Sequence, residues 1–447
     1  MRRVVAEFDL FAAPALPHEH ARELEAIDQI LSLDPGIAKL IWKDLRGEET
    51  RRVGRPGLSA EQVLRAAILK QMNGFSYQEL AFHLADSRSY MRFLGFTHPL
   101  EAPRKSALAD NIKRISAETW EAINRRVLAY AEAEGIEDGH KVRIDPTVVE
   151  SNIHHPTDNA LLFDGVRTLA RLLGRARKSF GVRFHDRTQR AKRRHMEITN
   201  ARRQARRVKP YKDLLRLTRE TLRYAEAAVA RLHRERGPLA GLAQRLADEI
   251  DHYVPLVHQL VSQTQRRVLH GESVAADQKL VSLFEPHTDI IRKDGRDTYY
   301  GHKVTLTGGA SGLILDWVVE DGNPADSTLF VRMLDRQHER YGRYPTQAAA
   351  DGALASKANL VAAKERGLED VVFAKRRNLH VEDMASSTWV YRQLRNFRAG
   401  IEGMISFLKR VFGLGRCLWK GADSFASYVG VSVVSANLLL LARHLMA

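Results

Sequence analysis

Apolar residues recur along most of the chain at the three- and four-residue spacing of amphipathic helices, and alternate as in strands only in a few short stretches. From Glu19 to Leu45, Leu24, Ile27, Ile30 and Leu31 trace one helical face, interrupted near Asp34-Pro35-Gly36. Gly54-Arg55-Pro56-Gly57 predicts a turn. Ser59 with Gln62, and Ser76 with Glu79, have the spacing of capping boxes, so each opens a helix. The first turns Val63, Ala67, Ile68 and Met72 inward and ends at Asn73-Gly74; the second carries Leu80, Phe82 and Leu84. A third segment begins at Asp86-Ser87, and a long helix follows from Ser116 to Gly135. Short helices joined by tight turns predict a helix-turn-helix-like module, which sets a helix in a DNA groove or serves as a packing domain.

The pattern changes at His140. Val142 and Ile144 alternate as in a strand up to Asp145, where Pro146 predicts a turn because proline cannot donate to a ladder. Helical spacing then returns from Ile153 to Gln278. Strand signals reappear from Thr298 to Thr307, reverse at Gly308-Gly309 and continue from Leu313 to Val319, as in an antiparallel hairpin. There follow a helix from about Asp326, its expected N-cap, to Tyr341; a strand from Thr346 to Ala350 ending at Asp351-Gly352; a helix from Ser356 to Arg366; and a strand from Val371 to Ala374. An amphipathic helix is expected from Asn396 to Gly421, and a buried one in the apolar tail from Tyr428 to Leu445. Trp389 and Trp419 are expected in the core.

This order predicts an α/β protein with a mixed five-stranded sheet flanked by helices, a helical N-terminal domain and a large helical insertion. The expected divisions are an N-terminal segment over 1–53, a helical DNA-binding domain over 54–135, a catalytic domain over 136–152 and 295–447, and a basic helical insertion over 153–294.

Charge sharpens the picture. The chain of 447 residues carries a formal charge of +16. Between Arg171 and Lys212, sixteen Lys or Arg face only Asp186 and Glu197. Such a block repels itself unless phosphates neutralise it, which points to nucleic acid. Arg193, Arg194, Arg202, Arg203, Arg206 and Arg207 are the candidate phosphate contacts there. Cys417 is the single cysteine, which excludes an intrachain disulfide framework and a CxxC zinc site and fits a reducing cytoplasm. The first twenty residues lack the uninterrupted apolar run of a secretory signal.

The candidate chemistry lies in three carboxylates. Asp145 and Asp351 each stand at the end of a strand, where open α/β sheets hold their sites, and Glu402 lies on the amphipathic helix. Carboxylates brought together repel unless a cation neutralises them, and hard Mg²⁺ or Mn²⁺ prefers such oxygens. Two ions held this way clamp the attacking and leaving oxygens of a phosphoryl displacement. Arg398, Glu402 and Lys409 fall on one polar stripe of the helix; the arginine and lysine are candidate DNA contacts, although Arg398 four residues before Glu402 is also the spacing of a helix-surface ion pair. His154, His155 and Asp158 suit a loop or DNA-contact surface better than a metal site.

These residues carry a resemblance to a known family. Ile144 to Leu162 (IDPTVVESNIHHPTDNALL), Gln347 to Ser356 (QAAADGALAS) and Phe397 to Lys409 (FRAGIEGMISFLK) resemble the segments around the first aspartate, the second aspartate and the Arg-Glu-Lys signature of bacterial insertion-sequence DDE transposases, particularly the ISNCY group. Tyr300 to Leu306 and Asp321 to Ser327 resemble the intervening hairpin and helix start, and residues 54–96 resemble the helical domain that precedes such cores. Where the signature has a tyrosine three residues before its arginine, this chain has Arg395, an expected phosphate contact. The resemblance implies an RNase H-like catalytic domain, two divalent ions held by Asp145, Asp351 and Glu402, element ends and target DNA as substrates, and a homodimer assembled on DNA. A nuclease or resolvase with the same acids, or a non-catalytic DNA-binding derivative, are the competing expectations.

Overall fold

The computed structural model describes residues 18–46, 57–293, 297–375 and 377–447. The expected turn at Gly54-Arg55-Pro56 lies outside them. The chain divides into two compact units, one formed by Met1–Glu150 with Lys303–Ala447, the other by Ser151–His302.

Among the described residues the first unit opens with the helices α1 (Glu19–Leu33), α2 (Gly36–Arg46), α3 (Ala60–Asn73), α4 (Tyr77–Asp86), α5 (Arg88–Leu94), α6 (Lys105–Ile112) and α7 (Ala117–Ala133). Both capping boxes are formed: the Ser59 hydroxyl accepts from the Gln62 amide while the Gln62 side chain accepts from the Ser59 amide, and Ser76 and Glu79 repeat the exchange. Gly74 then ends α3 in the left-handed conformation, as the Asn73-Gly74 signal requires.

Strand β1 (Lys141–Ser151) follows. It runs through Pro146 instead of turning there, and the reason is pairing. Its parallel partner, a strand over Gln347–Ala350, matches only Lys141 to Ile144, so Pro146 falls where that ladder has ended and no amide is needed on that side.

The second unit is built on α8 (Asp158–Phe180), α9 (Thr188–Asn200), α10 (Gln204–Leu232) and α11 (Ala240–Thr264), and ends in β2 (Asp289–Lys293), which pairs antiparallel with the first residues of β3 (Asp297–Gly308). Its own apolar core includes Leu162, Leu169, Leu173, Leu214, Leu222, Ile250 and Leu260. The rest of β3 belongs to the first unit and pairs antiparallel with β4 (Ile314–Val319). Then come α12 (Leu329–Tyr341), β5 (Gln347–Ala350), α13 (Lys357–Glu365), β6 (Asp370–Phe373), α14 (Val381–Met384), α15 (Thr388–Val411), β7 (Arg416–Cys417) and α16 (Ala422–Met446).

The sheet is mixed and open, with seven strands where five were expected. Its path is β2-β3-β1-β5-β6, with β4 added on β3 and β7 on β1. The two additional strands are β2, whose five residues DIIRK do not alternate apolar with polar, and β7, only two residues long. β1, β5 and β6 run parallel. Parallel strands need both faces covered, which is why β5 and β6 read as apolar runs without alternation.

Three further expectations are corrected. The amphipathic helix is α15, beginning at Thr388 on its Ser387 cap and ending at Val411; Gly413 adopts a left-handed φ of 67° and β7 follows, so residues up to Gly421 are not helical. Trp389, in the exposed first turn of α15, is 68% accessible, whereas Trp419 is buried. Asp326 caps no helix; it lies in a single 3₁₀ turn, and its carboxylate accepts from the Lys303 ammonium at 2.7 Å.

The apolar tail forms α16, long and apolar enough to cross a membrane, yet 89% of its most apolar stretch is buried within the protein. It packs on α7, α1 and α3. Its polar residues are satisfied inside: Asn437 donates to the Ile314 carbonyl at 2.8 Å and accepts the Ile314 amide at 2.9 Å, tying the helix to β4, while Ser427 accepts from the Trp120 indole at 3.1 Å.

Candidate active site

The site begins with a register. Ile144 pairs with Ala350 as the last matched residues of parallel β1 and β5, so Asp145 and Asp351 are the next residues on neighbouring strands, which lie about 4.8 Å apart in a sheet. Asp351 is where the strand gives way to a turn; its backbone carbonyl accepts from the Leu354 amide at 3.1 Å, and its side chain accepts from the Ala353 amide at 3.3 Å.

Helix α15 packs on β5 and β6. Tyr391, Leu394, Ile401, Met404 and Leu408 form its buried face. Near β1 it is seated by Arg143, which is 8% exposed and donates to the Phe397 carbonyl at 3.0 Å while its guanidinium lies 4.5 Å from the Phe397 ring centre. The Lys141 ammonium lies 4.5 Å from the same ring. Burial pulls the Arg143 guanidinium below its ordinary pKa, against a smaller opposing pull from Glu137. Gly400 makes the seat possible, because a Cβ there would overlap that guanidinium.

With the helix so placed, Arg398 joins the second and third acids. One terminal nitrogen donates to Asp351 Oδ1 at 3.0 Å and the other to Glu402 Oε1 at 2.9 Å. The arginine side chain is 15% exposed, against 34% for Asp351 and 63% for Glu402. Its Nε is buried with no hydrogen-bond partner among the described residues. The i,i+4 ion pair is therefore present, but the same guanidinium also reaches across to the sheet. Lys409 lies half-buried further along the helix, and Arg395 is exposed.

The donor set of Asp145, Asp351 and Glu402 is all carboxylate oxygen, the chemistry of a site for a hard divalent ion. Among the described residues no three His, Cys, Asp or Glu side chains converge closely enough to hold an ion as they stand. Between Asp351 and Glu402 stands instead a cation of the protein's own, which shows that these two carboxylates accommodate positive charge between them. The residues fit the ion in chemistry, and Arg398 holds two of them.

The basic residues of the second unit are not equivalent. Arg193, Arg202, Arg203 and Arg206 are exposed, whereas Arg207 is half-buried and donates to the Ala201 carbonyl at 3.0 Å. Arg194 is engaged by Asp213 at 2.7 Å and Glu197 at 2.6 Å. Burial acts to raise the Asp213 pKa, but hydrogen bonds from Arg194, Arg216 and Arg190 outweigh it and hold the group at about 2. His154 is paired with Asp164 at 2.7 Å and Asp158 with Arg267 at 2.9 Å. Sequence reasoning missed Arg143 and Arg267; nothing in the spacing of either marks it, since each acts through residues more than a hundred positions away.

Two family models match separate stretches of the chain. The family model described as Transposase domain (DUF772) matches residues 14–114, and the one described as Transposase DDE domain matches residues 269–438, which takes in Asp351 and Glu402 but not Asp145. No curated protein and no solved structure gives a match. With an N-terminal transposase domain followed by a DDE domain, and two of the three acids inside the latter, the chain belongs to the DDE transposases of insertion sequences.

Proposed function

We propose that this transposase binds the ends of its insertion sequence, hydrolyses phosphodiester bonds there and joins the resulting 3′-hydroxyl to target DNA, with Asp145, Asp351 and Glu402 as its catalytic acids in an RNase H-like domain. The observation that carries the reading is the parallel register of β1 and β5, which sets Asp145 beside Asp351, together with the guanidinium shared by Asp351 and Glu402. The fold assignment is supported by the sheet itself: three parallel strands, an antiparallel hairpin beside the first of them, and acids at the carboxyl ends of β1's and β5's paired segments.

DDE transposase domains are generally dependent on divalent metal. Here Asp145, Asp351 and Glu402 would hold Mg²⁺ or Mn²⁺, two ions in the full site. When bound, the metal supplies Lewis acidity to the phosphoryl oxygens and lowers the pKa of the attacking water or hydroxyl. The chain's own residues do the rest. The strands fix the two aspartates, α15 fixes the glutamate, and Arg398 exchanges its carboxylates for a DNA phosphate, which its planar fork matches equally well. Arg395 and Lys409 extend that contact along the helix, and Arg193, Arg202, Arg203 and Arg206 supply phosphate contacts from the second unit. We place the enzyme in the cytoplasm, on the nucleoid, as a homodimer when two ends are held together.

The test is Mn²⁺-dependent cleavage and joining of element-end DNA by the wild type beside Asp145→Asn, Asp351→Asn and Glu402→Gln. Loss of both activities in all three variants is expected. Cleavage without joined products in the wild type would mark a nuclease or resolvase; binding without cleavage would mark a DNA-binding derivative; cleavage retained in all three variants would refute the assignment of the acids.

A further inference from the structure

The second unit contains a surface cavity of about 440 Å³ among the start of α8, the first turns of α10 and the segment that follows α11. It is lined by Arg207, Arg267 and Lys279 together with Asp158, Glu272 and the buried Tyr211. Three cations thus face two carboxylates, and both carboxylates are already engaged. Asp158 accepts from Arg267 at 2.9 and 3.0 Å, and Glu272 accepts from Arg266 at 2.7 Å. Arg207 donates its Nε to the Ala201 carbonyl, and neither it nor Lys279 has a carboxylate within ion-pair distance among the described residues.

Two positive charges therefore border one cavity without a matching anion. Burial draws the Lys279 ammonium below the ordinary lysine range, with the nearby Arg267 and, outside the cavity, Arg292 adding to it and Asp158 opposing. An anion in the cavity would favour the charged ammonium and oppose that shift. The cavity lies within the usual size range of small-molecule sites, ~300–1,000 Å³, large enough for one nucleotide unit. Its wall is polar except for Tyr211 and two valines, so the ligand must bring charge more than apolar surface.

We propose that this cavity is a phosphate-binding site that takes the phosphate of a nucleotide through Lys279, Arg207 and Arg267. Lys279 acts as a point charge, and Arg207 has both terminal nitrogens to give while its Nε stays on Ala201. Arg267 can share its fork between Asp158 and the ligand. Only the source of the phosphate, a DNA backbone, rests on the function proposed above; the cavity's charge does not.

The experiment uses the full chain and two probes, inorganic phosphate and a duplex carrying the element end. Isothermal titration of each is compared among wild type, Lys279→Gln, Arg207→Gln and Arg234→Gln, the last an exposed arginine outside the cavity. Loss of one charged contact weakens binding roughly tenfold. The expected result is that loss for both cavity variants and not for Arg234→Gln, with the salt dependence of duplex binding lowered by about one released counterion in each. Phosphate binding and duplex binding falling together means the site reads any phosphate; a fall in duplex binding alone means it reads the DNA backbone. Both support the site. Cavity variants that match Arg234→Gln in both arms overturn it. Neither arm involves cleavage, so a failure of the catalytic assignment leaves both binding results unchanged, and a failure of the cavity leaves the cleavage test unchanged.

Discussion

Two charge clusters, one in each unit, are built in opposite proportions. In the second unit one aspartate, Asp213, is gripped by three arginines, Arg190, Arg194 and Arg216, and its neighbour Glu220 by Arg187 and Arg216. In the first unit two carboxylates, Asp351 and Glu402, share the single guanidinium of Arg398. The Asp213 cluster has more positive charge than its acids need, and it ties α9 to α10. The Asp351 pair has one guanidinium for two carboxylates. An over-neutralised acid is a fastening; an under-neutralised pair suits the cation site proposed above. The contrast separates two roles that residue type alone does not separate.

The largest expected effect lies with the acids. Asp145→Asn, Asp351→Asn or Glu402→Gln should lower Mn²⁺-dependent cleavage by roughly 100- to 1,000-fold, the range lost with one well-placed electrostatic group. Thermal melting should move little, because ion pairs this exposed contribute only about 0–1 kcal/mol. A variant that loses activity only in proportion to its fraction unfolded would erase the distinction. Arg398→Gln should come next, lowering cleavage roughly tenfold through one lost charged contact while tightening Mn²⁺ binding, since it removes the cation that competes for Asp351 and Glu402. Weaker Mn²⁺ binding in that variant, read by titration calorimetry, would mean that Arg398 supports the site and does not compete for it.

Asp213→Asn should behave in the reverse sense. Cleavage per folded molecule is retained, and stability falls by about 1–2 kcal/mol. The pH dependence has a definite sign. A carboxylate held at about 2 when folded and near 3.9 when unfolded stabilises the protein fully above pH ~4, and that contribution is lost as pH falls from ~4 towards 2. Acid unfolding curves of wild type and Asp213→Asn should therefore converge over that window. The smallest effect is expected at Arg193, exposed on α9. Arg193→Gln should leave stability within about 0.5 kcal/mol and lower the salt slope of DNA binding by about one.

Much of the first unit was legible in the sequence because its signals are local. The Ser59 and Ser76 capping boxes, the strand ending at Asp351 and the hairpin after Thr298 each depend on residues a few positions apart. What escaped depends on distant partners. Pro146 announces a turn to any local reading, and only the early end of β5 lets β1 run on through it. The ends of α15 were misplaced for a related reason. Its apolar spacing continues past Val411, while Gly413 and the pairing of β7 with β1 stop the helix. At the site, Arg398 and Glu402 were readable as neighbours on one helix face, but the reach of Arg398 to Asp351, 47 positions earlier, required the fold.

The order of the strands bears on how the protein is made. β1 and β3 are neighbours in the sheet, yet the second unit, Ser151–His302, separates them in the chain. At ~5–20 residues per second of synthesis, β1 waits on the order of ten seconds before its partner leaves the ribosome. The intervening helices have their own core and can fold in that interval. Until then the β1 edge that will meet β3 stands open, and the inserted unit sets the length of that wait.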